Sequence, residues 1–361
     1  MNNNGLLKKV KETLEKQKKY EGHKVFTIAT TSKIEAGSFL TPFRVFEKSS
    51  SFGVIIFDEE ILLELIKIVD GSVDIILVDT EKKIPFNVSK KITQDIDIKN
   101  ILIGNVRIGN LSKICFQLVK KSQIFEFKPN DLTVNSTWNF VSQKFQFISG
   151  MKISIIGAGN IGSKLALKFV ESGAEVHIFR RDYQKGREIA SALNLIKPPG
   201  TIANIFNHES ILQCTFKSDV VIGTSSGIQV IDEISLQAAK KNCLVIDLGK
   251  NNLTAKALKI AQKMNLEIYR VDVGNSIESY IQEVLNMNKI LNHSYGRRDM
   301  DICNLVSNGR YGFNGDVVVD NINNPTQIFG ISDGKGSIKI KINKIDDKKI
   351  KYLHKKFKID F

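Results

Sequence analysis

Residues 152–173 read KISIIGAGNIGSKLALKFVESG. A short apolar run leads into three glycines spaced GxGxxG, and a helix-forming stretch then stops at Gly173, a residue suited to the position after a helix end. Strand, tight turn and helix in that order are the context that gives the glycine spacing meaning. Gly157 permits the turn, Gly159 removes the side chain that would hold a pyrophosphate off the backbone, and Gly162 lets the helix approach the sheet. The N–H groups at the helix start, around Asn160 and Ile161, would face negative phosphates. The competing reading is an accidental glycine loop in some other α/β protein.

The sequence on either side decides between them. Downstream come the strand EVHIF (175–179), a helix around 183–194, a strand near TIANIF (201–206), DVVIG (219–223), CLVIDL (243–248) and LEIYRV (266–271). Helical SLQAAKK (235–241) and TAKALKIAQKM (254–264) separate the last three strands, and a helix over 276–291 closes the region. Six strands alternating with helices predict parallel βαβ units in a doubly wound, Rossmann-type sheet.

Upstream, residues 5–20 predict a helix with Leu6, Leu7, Val10 and Leu14 as an apolar stripe. Strands at 24–30, 52–57 and 73–79, with the helical DEEILLELIKIV (58–69) between the last two, predict a smaller α/β domain. NILIGNV (100–106) and SQIFEFK (122–128) read as extended. Beyond 292, SNGRYGFNGDVVVDN and QIFGISDGKGSIKIKI are glycine-rich and strand-like, and the lysine runs at 8–19 and 339–358 read as solvated surface. The expected organisation is therefore a substrate domain over 1–148, a Rossmann domain over 149–292 and a strand-rich region over 293–361.

After the second Rossmann strand the chain reads VHIFRRD (176–182). A carboxylate there commonly binds the ribose hydroxyls of NAD. Arg180 and Arg181 reverse that preference, because a guanidinium makes forked, charge-assisted contacts to a 2′-phosphate and stacks on adenine. Lys185 and Arg187 would add to the field. The implied cofactor is NADP. Under the alternative, both arginines face solvent and Asp182 supplies the carboxylate.

With those residues in hand, 151–291 resembles the NADP-binding domain of the group containing glutamyl-tRNA reductase, shikimate dehydrogenase and methylene-tetrahydrofolate dehydrogenase. IFRRD stands where those families carry an Asn-Arg-Thr signature, and Arg181 aligns with its arginine. SDVVIGTSSG (218–227) is similar to their fourth-strand segment, which implies that Thr224, Ser225 and Ser226 lie beside the nicotinamide ribose. Outside this stretch the patterns fail. The reductase's nucleophilic cysteine has no counterpart, since Cys115 has an apolar context, and the Ser-rich loop after the first strand lacks the dehydrogenase's spacing.

A hydride transfer needs a nearby proton donor. Lys33, after the first strand, and Lys82, after VDTE, are the candidates, each set against an ordinary surface role. Arg297, Arg298 and Arg310 could clamp an anionic substrate, or belong to turns. The five histidines and four cysteines show no metal-ligand spacing, no metal is expected, and the scattered cysteines suit a reducing cytoplasm. No apolar run reaches the ~18 residues of a membrane span, so no membrane partner is expected. The net charge of +14 invites a nucleic-acid reading, but only nine of the 52 basic residues are arginine, so nucleic acid is not expected either. The reading that emerges is an NADP-dependent oxidoreductase acting on a small, anionic metabolite between the domains, with a homodimer left open. A non-catalytic NADP(H) sensor is the alternative from another class.

Overall fold

The computed structural model describes residues 3–31, 37–57, 60–81, 86–87, 107–108 and 111–359. Two compact units divide the chain, Met1–Glu278 and Ser279–Phe361. The division falls inside the helix Gly274–Lys289.

The first unit holds two parallel-stranded sheets. In the first, β1 (His23–Ala29) lies between β4 (Ser49–Ile55) and β5 (Ile75–Asp79), and β8 (Gln123–Phe127) extends the sheet beyond β5, all parallel. The short β2 (Phe39–Leu40) and β3 (Arg44–Val45) pair antiparallel with β4. The pair β6 (Phe86–Asn87) and β7 (Arg107–Ile108) stands apart. The helix Asn3–Gln17 buries Leu6, Leu7, Val10 and Leu14, the predicted stripe, and ends on Gln17, whose Nε2 donates to Ser50 O at 2.9 Å. Those leucines join Phe26, Phe52, Ile76 and Leu62 in one core. Each such side chain removed from water contributes about 1.5–3 kcal/mol. NILIGNV (100–106) lies outside the described residues.

Two helices here were not anticipated. Ser112–Leu118 is short, and Pro129–Phe145 is polar along most of its length. The second starts with proline at its first turn, where the missing N–H costs nothing. It places Val134 and Val141 in the core of the next sheet, so it packs there although it follows β8.

That sheet is the predicted one: β9 (Lys152–Ile156), β10 (Glu175–Phe179), β11 (Ile205–His208), β12 (Val220–Gly223), β13 (Leu244–Asp247) and β14 (Ile268–Tyr269), ordered β11-β10-β9-β12-β13-β14 and wholly parallel. The order reverses between β9 and β12, the switch point at which such sheets open a crevice at their carboxyl ends. The near-continuous apolar strands reflect burial on both faces.

In the second unit, β15 (Arg297–Asp299), β16 (Asn304–Ser307), β17 (Val317–Val319) and β18 (Ile328–Ile331) form a mixed sheet in that order. Two expectations need correction. GSIKIKI does not continue as a strand: beyond β18 only an isolated Ser332–Ile338 bridge forms, and Ile340 is fully exposed. The turn before it is closed by Asp333 Oδ1, which accepts from Lys335 N and Ser337 N. The lysine run 339–358 is not merely surface. Asn343 caps a helix, Lys344–Phe357, by accepting from Ile345 N and Asp346 N, and Leu353 is buried against the sheet core. Among the described residues no helix is long and apolar enough to cross a membrane.

Candidate functional site

The three glycines of the turn after β9 are needed for three different reasons. Gly157 has φ +111°, and a Cβ there would meet Ser225 N at 2.9 Å. A Cβ on Gly162 would stand 2.4 Å from Gly157 O, so the helix Asn160–Glu171 lies directly on the turn. Gly159 differs: the nearest atom a Cβ would meet is Gly157 O, at 4.0 Å. Space is left at that one position, beside a helix whose first turn no side chain caps. Exposed backbone donors at a helix start favour an anion there.

The side chains after β10 divide their work. Arg180 Nη1 donates to Ala158 O at 2.5 Å, which fastens the guanidinium to the glycine turn. Arg181 is exposed. Asp182 caps the helix Tyr183–Ile196, accepting from Lys185 N at 3.2 Å, with Lys185 Nζ at 3.4 Å from its other oxygen. The Lys185 N–H is the main cause that holds the Asp182 carboxyl below its ordinary range. Asp182 therefore serves its own helix, and the rim near the turn carries a guanidinium instead.

The loop after β12 braces the turn from the other side. Thr224 Oγ1 donates to Gly157 O at 2.6 Å, with Ile156 O at 3.2 Å. Ser225 N and Oγ border Gly157, and Ser226 is exposed. Behind them stands Asn252, wholly buried, whose Nδ2 donates to Ser225 O at 2.6 Å and Ile228 O at 3.2 Å. Its own N–H goes to the buried Asp247 carboxylate, which also accepts from Asn251 N at 2.8 Å. Asp247, read from sequence as a neighbour of the nicotinamide, thus holds the loop after β13. Asn252 was not singled out. Its local signal is the GKNN turn, where Lys250 and Asn251 take positive φ, but its partners are some 25 residues away.

The first sheet meets this region at the carboxyl end of β5. Asp79 is buried, accepting from Thr30 N at 3.2 Å and Glu81 N at 2.8 Å. Glu81 accepts from Asn130 N, and Asn130 Nδ2 donates to Asn160 Oδ1 at 3.2 Å. Lys164 pairs with Asp131 and lies 3.8 Å from Glu81. A residue of the glycine motif is thereby tied to the first sheet. Lys33 and Lys82 lie outside the described residues.

Other candidates serve structure. All four cysteines are buried and free; burial pushes the Cys115 thiol far up, and Cys214 and Cys243 to about 12. In the second unit Arg297 bonds Asp316 and Asp299 and lies over the Phe313 ring, and Arg298 donates to Ile322 O and Asn323 O, while Arg310 is exposed.

The comparisons with known proteins fall on this same stretch. Residues 139–283 match the family model of shikimate / quinate 5-dehydrogenase. Among curated proteins, the chain is 32% identical over 123 residues to "Glutamyl-tRNA reductase 2" of Pyrobaculum arsenaticum, covering 34% of this chain and 28% of that protein. It is 30% identical over 150 residues to the glutamyl-tRNA reductase of Sulfurisphaera tokodaii, covering 39% and 34% respectively. The chain thus spans about a third of the length of these relatives. A solved structure of dipicolinate synthase from Bacillus halodurans is 15% identical, with a TM-score of 0.34 over 73% of this chain and 98% of that one. The resemblance read from 151–291 is thus the one the family model and the curated relatives display.

Proposed function

We propose that the chain is an NADP(H)-dependent oxidoreductase, transferring a hydride to or from a small anionic metabolite held between the first sheet and the Rossmann sheet. The observation that carries this reading is Arg180 fastened to a glycine turn that leaves room only at Gly159. The residues fit the cofactor. Open space at Gly159 and the uncapped helix start suit a pyrophosphate, and the rim offers guanidinium groups while its carboxylate, Asp182, is committed to a helix cap.

In this reading Asn160, Ile161 and Gly162 direct backbone N–H groups at the pyrophosphate, and Arg180 and Arg181 bind the 2′-phosphate. Thr224 keeps the turn closed, and Ser225 and Ser226 hold the nicotinamide ribose. When bound, NADPH supplies the hydride. The protein must then deliver or accept a proton at the reacting oxygen or nitrogen, and Lys33 or Lys82 is assigned that part because both follow strands of the first sheet. The match of 139–283 to a dehydrogenase family supports the class of reaction.

The test is a thermal-shift titration with NADP and NAD, followed by NADPH absorbance during incubation with pools of hydroxy, keto and imino acids. NADP should give the larger shift, and some pool should consume the absorbance. No shift with either dinucleotide overturns the reading; binding without turnover would leave a sensor.

A further inference from the structure

Apart from the glycine turn, the outer edge of the Rossmann sheet holds a pocket of about 570 Å³ lined by Lys152, Tyr183, His208, Leu212, Gln213 and Phe216, with Asn207 and Glu209 also at its wall. Its size is in the range of small-molecule sites, roughly 300–1,000 Å³. None of these residues belongs to the loops 157–162 or 224–227. The inference is therefore independent of the cofactor reading.

Lys152 is half-buried at the start of β9. Its ammonium forms no hydrogen bond or ion pair among the described residues. Its cross-strand neighbour is Glu175, the natural counter-ion. That carboxylate is engaged elsewhere: Glu175 Oε1 meets His177 Nε2 at 2.6 Å, and His177 Nδ1 meets His208 Nε2 at 2.6 Å. With neutral rings the chain has one polarity. His208 donates from Nε2 to His177, and His177 donates from Nε2 to Glu175. The relay uses up the negative charge and leaves the lysine without it. Burial holds the Lys152 ammonium below its usual range, the direction expected of a cation short of a partner.

The opposite wall is apolar and open. Tyr183, Leu212 and Phe216 are 40%, 45% and 53% exposed. Lys217 Nζ stands 5.3 Å from the centre of the Phe216 ring, a second cation at the same wall. Three neighbouring apolar side chains and an uncompensated ammonium make a complementary pair of features.

We propose that this pocket binds a small molecule with an apolar body and one anionic head, carboxylate or phosphate, the head on Lys152 and the body against Tyr183, Leu212 and Phe216. A charge-assisted contact to a half-buried ammonium supplies about 1.5–3 kcal/mol, and the apolar body adds area removed from water.

The probes are 3-phenylpropionate and phenyl phosphate, with 3-phenylpropanol as the uncharged control, titrated calorimetrically into the full chain in phosphate-free buffer. At least one anion should saturate below millimolar concentration and bind at least tenfold more tightly than the alcohol. Lys152→Met should weaken it at least tenfold and Phe216→Ala severalfold, with thermal unfolding checked for each variant. The two anions distinguish a carboxylate site from a phosphate site. Saturating NADP should leave the binding intact, and displacement by NADP would place the anion in the nucleotide crevice and overturn the proposal. So would failure of both anions to saturate, or equal affinity for Lys152→Met. Should Lys152→Met not fold, Phe216→Ala and Leu212→Gln alter exposed side chains, and no loss with either overturns it. A protein that bound these anions but not NADP would refute the cofactor reading alone.

Discussion

Arg180 Nη1 and Ala158 O are 2.5 Å apart, so the side chain that ends β10 is bonded to the backbone of the turn that ends β9. The two neighbouring parallel strands are locked at their carboxyl ends, where the crevice opens. A long cationic side chain in solvent would sample many rotamers, and this one has lost that freedom in advance, which lowers the cost of binding a phosphate.

Arg181 is the arginine free to respond to the cofactor. Arg181→Ala should weaken NADP binding by about tenfold or more, the worth of a charge-assisted contact, and change NAD binding little. Arg180→Ala should do the same and also lower the melting temperature, since the Ala158 carbonyl loses its donor. Fluorescence titration of NADPH and NADH against both variants checks this. Equal loss for the two dinucleotides would falsify the 2′-phosphate assignment.

Gly159 and Gly162 should part company under the same substitution. Gly162→Ala drives a methyl to 2.4 Å from Gly157 O, with overpacking of about 1–3 kcal/mol and a lower melting temperature. Gly159→Ala meets no protein atom closer than 4.0 Å, so the fold should tolerate it. The new methyl would occupy the space reserved for the pyrophosphate, and dinucleotide affinity should fall. Thermal melts with and without NADP separate the two effects. An unaltered affinity in Gly159→Ala would count against the turn as a phosphate site.

Much of this was legible because the decisive residues are contiguous. The glycine motif, the strand before it and the helix after it occupy 22 consecutive positions, and the alternation that follows has a period short enough to read. What was not legible depends on contacts distant in sequence. Asn252 is one asparagine among many until the fold sets it beneath Ser225 and Ile228. The Lys344–Phe357 helix was hidden because lysines dominate its composition, while only Leu353 is fully buried with Ile350 and Phe357 partly so. The polar helix Pro129–Phe145 gave no strong apolar period. His177 and His208 are 31 residues apart and meet only because β10 and β11 are adjacent.

Asn252 should be intolerant of change. Asn252→Ala removes the donor from two loop carbonyls and opens a gap in a wholly buried position. The loss should be about 1–3 kcal/mol for the unmade hydrogen bonds, with further cost for the cavity. Asn252→Asp should be worse above pH 5, since it places a carboxylate against Ser225 O and near the buried Asp247. Chemical denaturation of both variants measures this, and a wild-type midpoint for either would show that the two loops hold together without it.

The His177–His208 pair should make the protein sensitive to acid. Burial lowers the pKa of both rings, and burial together with the neighbouring His177 and Lys152 lowers His208 to about 4; only Glu175 opposes this, through His177. Folded rings therefore bind protons less readily than unfolded ones at the ordinary value of 6.5. Between pH 6.5 and about 4 the unfolded chain carries more protons, so stability falls as pH is lowered through that window and is fully present above it. Protonation would also set two cations beside Lys152 with a single carboxylate to share. The melting temperature should drop between pH 6.5 and 4, and His208→Asn, which keeps a donor for His177 but does not titrate, should drop less. An NMR titration should place the His208 midpoint well below 6, and a midpoint near 6.5 would show that the imidazole is solvated and the relay not formed.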